Sequence, residues 1–365
     1  MSEEELIRFS VDIFNPVNDQ HFVPCHFLSA WSRRVQKGAR WEYYTFCRED
    51  ADTVCDKRVR KVAKWRHLYS YPDLTLQSLQ KIVYHLTIQQ SFDKELATLV
   101  YQHGIFTAIY ERYLRGESSV ELFKITELLL NTEILCPDFK IILQTVTKMR
   151  FSESNIDAVS RLADKVHIAK CNGFEHILSI QEKLFYPLLD EARGDDLSFF
   201  NRPKDRTAFI HYLFAQLLRT RKFDEMLESV LEENMISEDN TVLFKYLRFE
   251  TMYKLAESVV RSIHEYELIL LKNETQLEFI SGDQPLCNLI SNVDANQFDL
   301  YYPISPTRAL LFTTKGRYSS VYRHLRSLSV REVDELNRKI AFASSHQLFA
   351  SKQNTLDVCN YHAGA

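Results

Sequence analysis

The sequence predicts an α+β protein that is mainly α, an irregular helical bundle with a small antiparallel β element from the C-terminal, and in part the N-terminal, segment. Three observations carry this expectation. Glycine is scarce, at 8 residues in 365, where average usage of about 7% would give roughly 25. Prolines number only 9, and Leu, Glu and Lys are abundant, a composition that favours helices over a β-sandwich. Apolar residues recur at helical spacing between 74 and 265, whereas short aromatic and β-branched runs appear near both ends.

Residues 1–73 read as a mixed segment expected to pack on the C-terminal core. Trp41-Glu42-Tyr43-Tyr44-Thr45-Phe46 has the make-up of a short strand. From 74 to 165 a helical insertion or subdomain is expected, with Leu76, Leu79, Ile82, Val83 and Leu86 on one stripe. Breaks near Gly116, Pro137, Ser152, Gly173, 194–203 and 237–240 divide 74–265 into about seven to nine helices. The core, 166–350, continues with helices and then a small sheet. Glu267–Leu271 and Gln276–Ile280, flanking Lys272-Asn273-Glu274-Thr275, suggest a hairpin, and Tyr301–Ile304 and Ala309–Phe312 two further strands. A last helix opens at Ser329-Val330-Arg331-Glu332, a capping box, and continues with Val333, Leu336 and Ile340 on one face. Residues 351–365 read as a flexible tail.

Composition also restricts chemistry. No G-x-G-x-x-G or G-x-x-x-x-G-K-[ST] occurs, so no nucleotide-cofactor motif brings backbone N–H groups close to phosphate. H-E-x-x-H, C-x-x-C and G-x-S-x-G are absent too. No stretch approaches the roughly 18 apolar residues of a membrane span, and the acidic start Met1-Ser2-Glu3-Glu4-Glu5 does not resemble a secretion signal. Seven scattered cysteines, at 25, 47, 55, 136, 171, 287 and 359, read as reduced thiols in a cytoplasmic protein. Cys47, Cys55 and His67 make a poor zinc set, because the spacing misses C-x₂₋₄-C.

Four boxes carry a resemblance. They are Gln20-His21-Phe22-Val23-Pro24 with Phe27-Leu28; Lys61-Val62-Ala63-Lys64 running into Leu68-Tyr69-Ser70; the helix Phe209 to Thr220 with its Gln216-x-x-Arg219-Thr220; and Phe279-Ile280-Ser281-Gly282-Asp283-Gln284-Pro285 followed by Tyr302-Pro303-Ile304-Ser305-Pro306. Their order and spacing resemble an uncharacterised bacterial domain-of-unknown-function family with a His-x-Val-Pro box, a Gln-x-x-Arg-Thr helix, a Ser-Asp-Asn-Pro loop and a Pro-x-Ser-Pro strand. Gly282 stands where serine would be usual, and Gln284 replaces asparagine. The resemblance implies association with anti-phage defence and transfers no activity.

Candidate catalytic residues are His21, Asp283 and Arg219. Asp283, past a strand end, suits a general base or a ligand for a divalent metal, or equally an Asx-turn. His21 suits acid–base work or a local hydrogen bond. Arg219 and Gln216, on one face with Tyr212 and Phe223, suit a grip on phosphate or a buried structural pair. Gln20, Gln216, Gln284, Ser305 and Asn337 complete a supporting polar network, Asn337 lying on the apolar face of the last helix. Lys57, Arg58, Arg60, Lys61, Lys64 and Arg66, with Trp65 among them, suggest either a nucleic-acid contact or a solvated basic helix. Residues 33–66 carry 11 basic and 5 acidic residues, against a net charge of −4 for the chain. Two functional expectations stand open: a defence effector that hydrolyses phosphodiester bonds as a nuclease-like toxin, or a non-catalytic sensor or scaffold whose helical region binds a protein partner.

Overall fold

The computed structural model describes residues 19–49, 53–66, 178–179, 181–233, 252, 254–290, 298–318 and 327–358. The chain divides into two compact units, one of residues 1–20, 66–179 and 230–250, the other of 21–65, 180–229 and 251–365. Nearly all described residues belong to the second unit. The helical segment expected at 74–165 lies outside the described residues.

In chain order the elements are β1 (Asp19–His21), α1 (Cys25–Leu28), β2 (Arg33–Lys37), β3 (Arg40–Arg48), β4 (Val54–Arg58) and β5 (Lys64–Arg66). Helix α2 at 181–193 follows, then α3 (Pro203–Leu218), α4 (Arg221–Glu233) and α5 at 254–261. The C-terminal part holds β6 (Tyr266–Lys272), β7 (Ser281–Gly282), β8 (Cys287–Asn288), β9 (Leu300–Ser305), β10 (Arg308–Thr314), α6 (Val330–Ala343), β11 (Leu348–Ala350) and α7 (Gln353–Val358).

The expectation of a mainly helical bundle is corrected. The described region is 46% helix and 27% strand, with two sizeable antiparallel sheets, and is a balanced α+β fold. One sheet has the order β6-β10-β9-β8. The other runs β2-β3-β11-β7, with β4 also on β3. Because Tyr44 faces both Arg33 and Arg58, β2 and β4 lie on opposite edges of β3. Strand β11 pairs with Phe46 to Arg48, sharing the β2 edge. A further two-stranded sheet joins β1 and β5.

Both faces of the first sheet are covered, so its strands are continuous apolar runs rather than alternating ones. Ile269, Leu271, Tyr301, Ala309 and Leu311 pack in one cluster with Val333, Leu336 and Ile340 of α6 and with Leu348 and Ala350 of β11. On the other face Tyr302 stacks on Phe27 at 5.0 Å, and its hydroxyl lies 3.1 Å from that of Tyr212 on α3. Each such buried side chain contributes about 1.5–3 kcal/mol of transfer free energy. Pro303 is accommodated in β9 because the register shifts between Arg308 and Ala309, opposite it. Helix α6 opens with the expected capping box at Ser329 and Glu332.

The expected hairpin does not form. Residues 276–280 do not return as a hairpin partner of β6, whose partner is β10. Asn273 instead closes a tight loop, its amide donating to the Leu277 carbonyl at 2.7 Å while Oδ1 accepts from the Thr275 N–H at 3.0 Å. The following backbone is satisfied by distant side chains. Trp31 Nε1 donates to the Phe279 carbonyl at 2.8 Å, and Asn337 donates to the Glu278 carbonyl at 2.9 Å and accepts from the Ile280 N–H at 3.0 Å. Of the tail set apart at 351–365, the described residues 351–358 hold α7, where Thr355 and Leu356 are buried and the Glu278 carboxylate caps the start; 359–365 lie outside the described residues.

Candidate functional site

Arg219, Thr220, Asp283 and Gln284 of the polar boxes are buried and hydrogen-bonded, in separate groups. Arg219 and Thr220 lie at the junction of α3 and α4. The Arg219 guanidinium, 1% exposed, pairs with Glu182 and donates to the His21 carbonyl. The Thr220 hydroxyl donates to Gln284 Oε1, and Gln284 Nε2 donates to the Leu286 carbonyl at 2.8 Å. Arg219 therefore meets the backbone of His21; the ring of His21 lies 3.6–3.7 Å from Cys25 Sγ.

Asp283, 4% exposed, turns its carboxylate toward the loop before β11. It accepts from the backbone N–H groups of Ser345 (2.8 Å), His346 (2.7 Å) and Gln347 (3.1 Å). Burial pushes its carboxyl above the ordinary value, and these three donors pull it part of the way back. Gly282 is required beside it. A Cβ there would sit 1.9 Å from Ser344 Oγ, so a side chain at this position would collide.

The remaining candidates disperse. Asn337 pins residues 278–280. Ser305 accepts from the Thr307 N–H at 3.3 Å in the β9–β10 turn. Gln216 is fully buried, and neither of its amide atoms has a hydrogen-bond partner among the described residues. The side chains of Gln20 and Arg66 lie outside the described residues.

The basic run is not a helix. It spans β4, a 3₁₀ turn at Val59–Lys61 and β5. Lys57 pairs with Glu49, and Lys64 is half-buried. Arg58, Arg60 and Lys61 line a groove of about 890 Å³ together with Arg40, Trp41, Glu42, Tyr43, Cys25, His26, Ser29 and Val59. Trp41 and Tyr43 are 50% and 46% exposed. Arg34 stacks on the Trp41 ring, its guanidinium carbon 4.2 Å from the centroid. Glu42, the one carboxylate lining the groove among the described residues, pairs with Arg58 at 3.1 Å and accepts from the Tyr44 hydroxyl at 3.0 Å. His21, Arg219 and Asp283 are not among the lining residues.

Sequence reasoning saw the charge of this region but missed the contribution of Arg40, Trp41 and Tyr43. The signal was the basic–aromatic run Arg40-Trp41-Glu42-Tyr43, which it read only as strand. Among the described residues no group of three His, Cys, Asp or Glu side chains is placed to hold a metal ion. Of the zinc set, Cys47 is buried, Cys55 is exposed, and His67 lies outside the described residues.

Comparison with protein families gives a match over residues 19–354. The chain belongs to the DUF4238 family, described as a protein of unknown function. The DUF4238 match takes in all four sequence boxes, the buried Arg219 and Asp283 and the groove alike. No curated protein and no solved structure matches this DUF4238 chain. Among its described residues no helix is long and apolar enough to cross a membrane.

Proposed function

We propose that this protein binds single-stranded nucleic acid in the groove beside β3 and acts without catalysis, as the sensing or scaffolding component of an anti-phage defence response. One observation carries the binding reading: four cations, Arg40, Arg58, Arg60 and Lys61, share a groove with two half-exposed aromatic rings, Trp41 and Tyr43. Cations track a phosphate backbone, and aromatic faces stack on bases that only an unpaired strand offers. Arg34 covers one side of Trp41 and stiffens the platform. The defence role rests on the family resemblance alone.

The non-catalytic part is supported by where the candidate acid–base groups point. Asp283 and Arg219 are engaged with backbone and Glu182, and among the described residues lining the groove the Glu42 carboxylate is tied to Arg58 while the His26 imidazole faces Asp190 at 3.6 Å. A phosphodiesterase would need a base or a metal within reach of the bound phosphate.

The test is fluorescence anisotropy with labelled single- and double-stranded oligonucleotides. The single strand is expected to bind more tightly, with affinity falling steeply as salt rises. Trp41→Ala is expected to weaken binding by roughly 5- to 150-fold, the range for one lost stacking contact. Charge reversal at Arg60 and Lys61 together should abolish it with the thermal midpoint unchanged. Absence of binding, or equal binding of duplex and single strand unaffected by these substitutions, would overturn the reading.

A further inference from the structure

Cys47 of β3 and Cys55 of β4 are direct cross-strand partners. Directly opposed residues on antiparallel strands have Cα atoms about 4.5–5.5 Å apart and side chains on the same face. A disulfide needs Cα atoms about 4.4–6.8 Å apart. The register therefore brings the two residues within bonding range with little backbone movement, and both are free thiols. Their surroundings differ in a useful way. Cys55 is exposed, whereas Cys47 is fully buried, between β4 and its other partner Phe349 of β11. Lys57, two residues along β4 on the same face, places a positive charge beside both sulfurs.

We propose that Cys47 and Cys55 are a reversible redox pair that a peroxide closes into a cross-strand disulfide, Cys55 reacting first and Cys47 resolving. The thiolate of Cys55 attacks one peroxide oxygen. An S–O bond forms, the O–O bond breaks, and the departing hydroxide is protonated to water. The thiolate of Cys47 then attacks the Cys55 sulfur. The S–S bond forms, the S–O bond breaks, and the second hydroxide leaves as water. Two thiols lose two electrons and two protons, and hydrogen peroxide becomes two waters. The second step is the slow one, because burial, reinforced by Glu49, pushes the Cys47 thiol up to about 12. The sulfenic acid of Cys55 is accordingly the species that accumulates.

The inference stands independently of nucleic-acid binding and is tested on the full chain. The folded protein is treated with hydrogen peroxide, alkylated, digested without reductant and analysed by mass spectrometry. The expected product is a crosslinked peptide pair containing residues 47 and 55, two hydrogens lighter than the reduced peptides and lost on adding dithiothreitol. Early time points should show a dimedone adduct on Cys55. Cys55→Ser, at an exposed position, should remove crosslink and adduct together while leaving the melting curve unchanged. A crosslink formed only in denaturant, or a Cys55 that proceeds to the sulfinic acid with Cys47 still a free thiol, would overturn the proposal.

Discussion

Glu278 and Asp283 grip opposite ends of the same strand. Asp283 accepts from the three N–H groups just before β11, and Glu278 from the N–H groups of Ser351 and Lys352 (2.9 Å each) just after it. Strand β11 is three residues long and joins β3 to β7, so these carboxylates fix the element that links the N-terminal strands to the C-terminal core. Asp283→Asn is expected to destabilise by about 2–3 kcal/mol, because an amide N–H₂ would face backbone donors that now have a charged acceptor. Urea unfolding measures the loss. If function survives the substitution in proportion to the folded fraction, Asp283 positions β11; function lost at full stability would point to chemistry instead.

Gly282 is held by contact rather than by backbone conformation. Gly282→Ala is expected to lower the thermal midpoint, since its Cβ would fall 1.9 Å from Ser344 Oγ and 3.0 Å from Ser344 Cβ. Adding Ser344→Gly removes both atoms, and the double variant should recover part of the loss. A single variant as stable as wild type would contradict the packing.

Asp195 gives a pH dependence. It occupies a left-handed turn (φ 70°) and holds Arg308 and Lys272, the latter at 2.6 Å, against the edge of β6–β10. The Arg308 hydrogen bond, helped by Lys272, depresses its carboxyl below the ordinary value. A depressed folded value means that its stabilisation is present above the ordinary carboxylate range and is lost as pH falls through the folded value. The acid limb of the stability curve below about pH 4 should therefore be steeper in wild type than in Asp195→Asn, which tolerates the same turn. Matching slopes in the two proteins would remove Asp195 as a contributor.

What the sequence disclosed follows from how local each signal is. Strand β3, the β9–β10 pair and the Ser329 cap are written in consecutive residues, and so were readable. The placement of Asn337 on a buried face was also readable from helical spacing. Strand β11 was not, because Leu348–Ala350 is too short to carry a period and is fixed by carboxylates about 65–70 residues upstream in the chain. Residues 276–280 misled because an apolar run beside a turn has the pattern of a hairpin, while their backbone partners, Trp31 and Asn337, are distant in sequence. The groove was half visible. Charge bias marked 33–66, but only the fold of β3 against the Val59–Lys61 turn sets Trp41 and Tyr43 beside Arg60 and Lys61.

The last test separates a structural from a chemical role for Arg219. Its guanidinium is 1% exposed, with Glu182 on one side and the His21 carbonyl on the other. Removing one partner of a buried ion pair strands the other charge at a cost of about 3–5 kcal/mol, whereas replacing both with apolar residues of similar size is often neutral. Arg219→Met is therefore expected to be severely destabilised, and Arg219→Met with Glu182→Leu to regain much of that loss. The His21 carbonyl, left without this donor, would keep the recovery incomplete. Both proteins would be compared by urea denaturation and by oligonucleotide binding. Since Arg219 does not line the groove, the folded double variant should bind with near-wild-type affinity. Recovery of stability with binding still absent would place Arg219 in contact with the ligand and reverse the assignment.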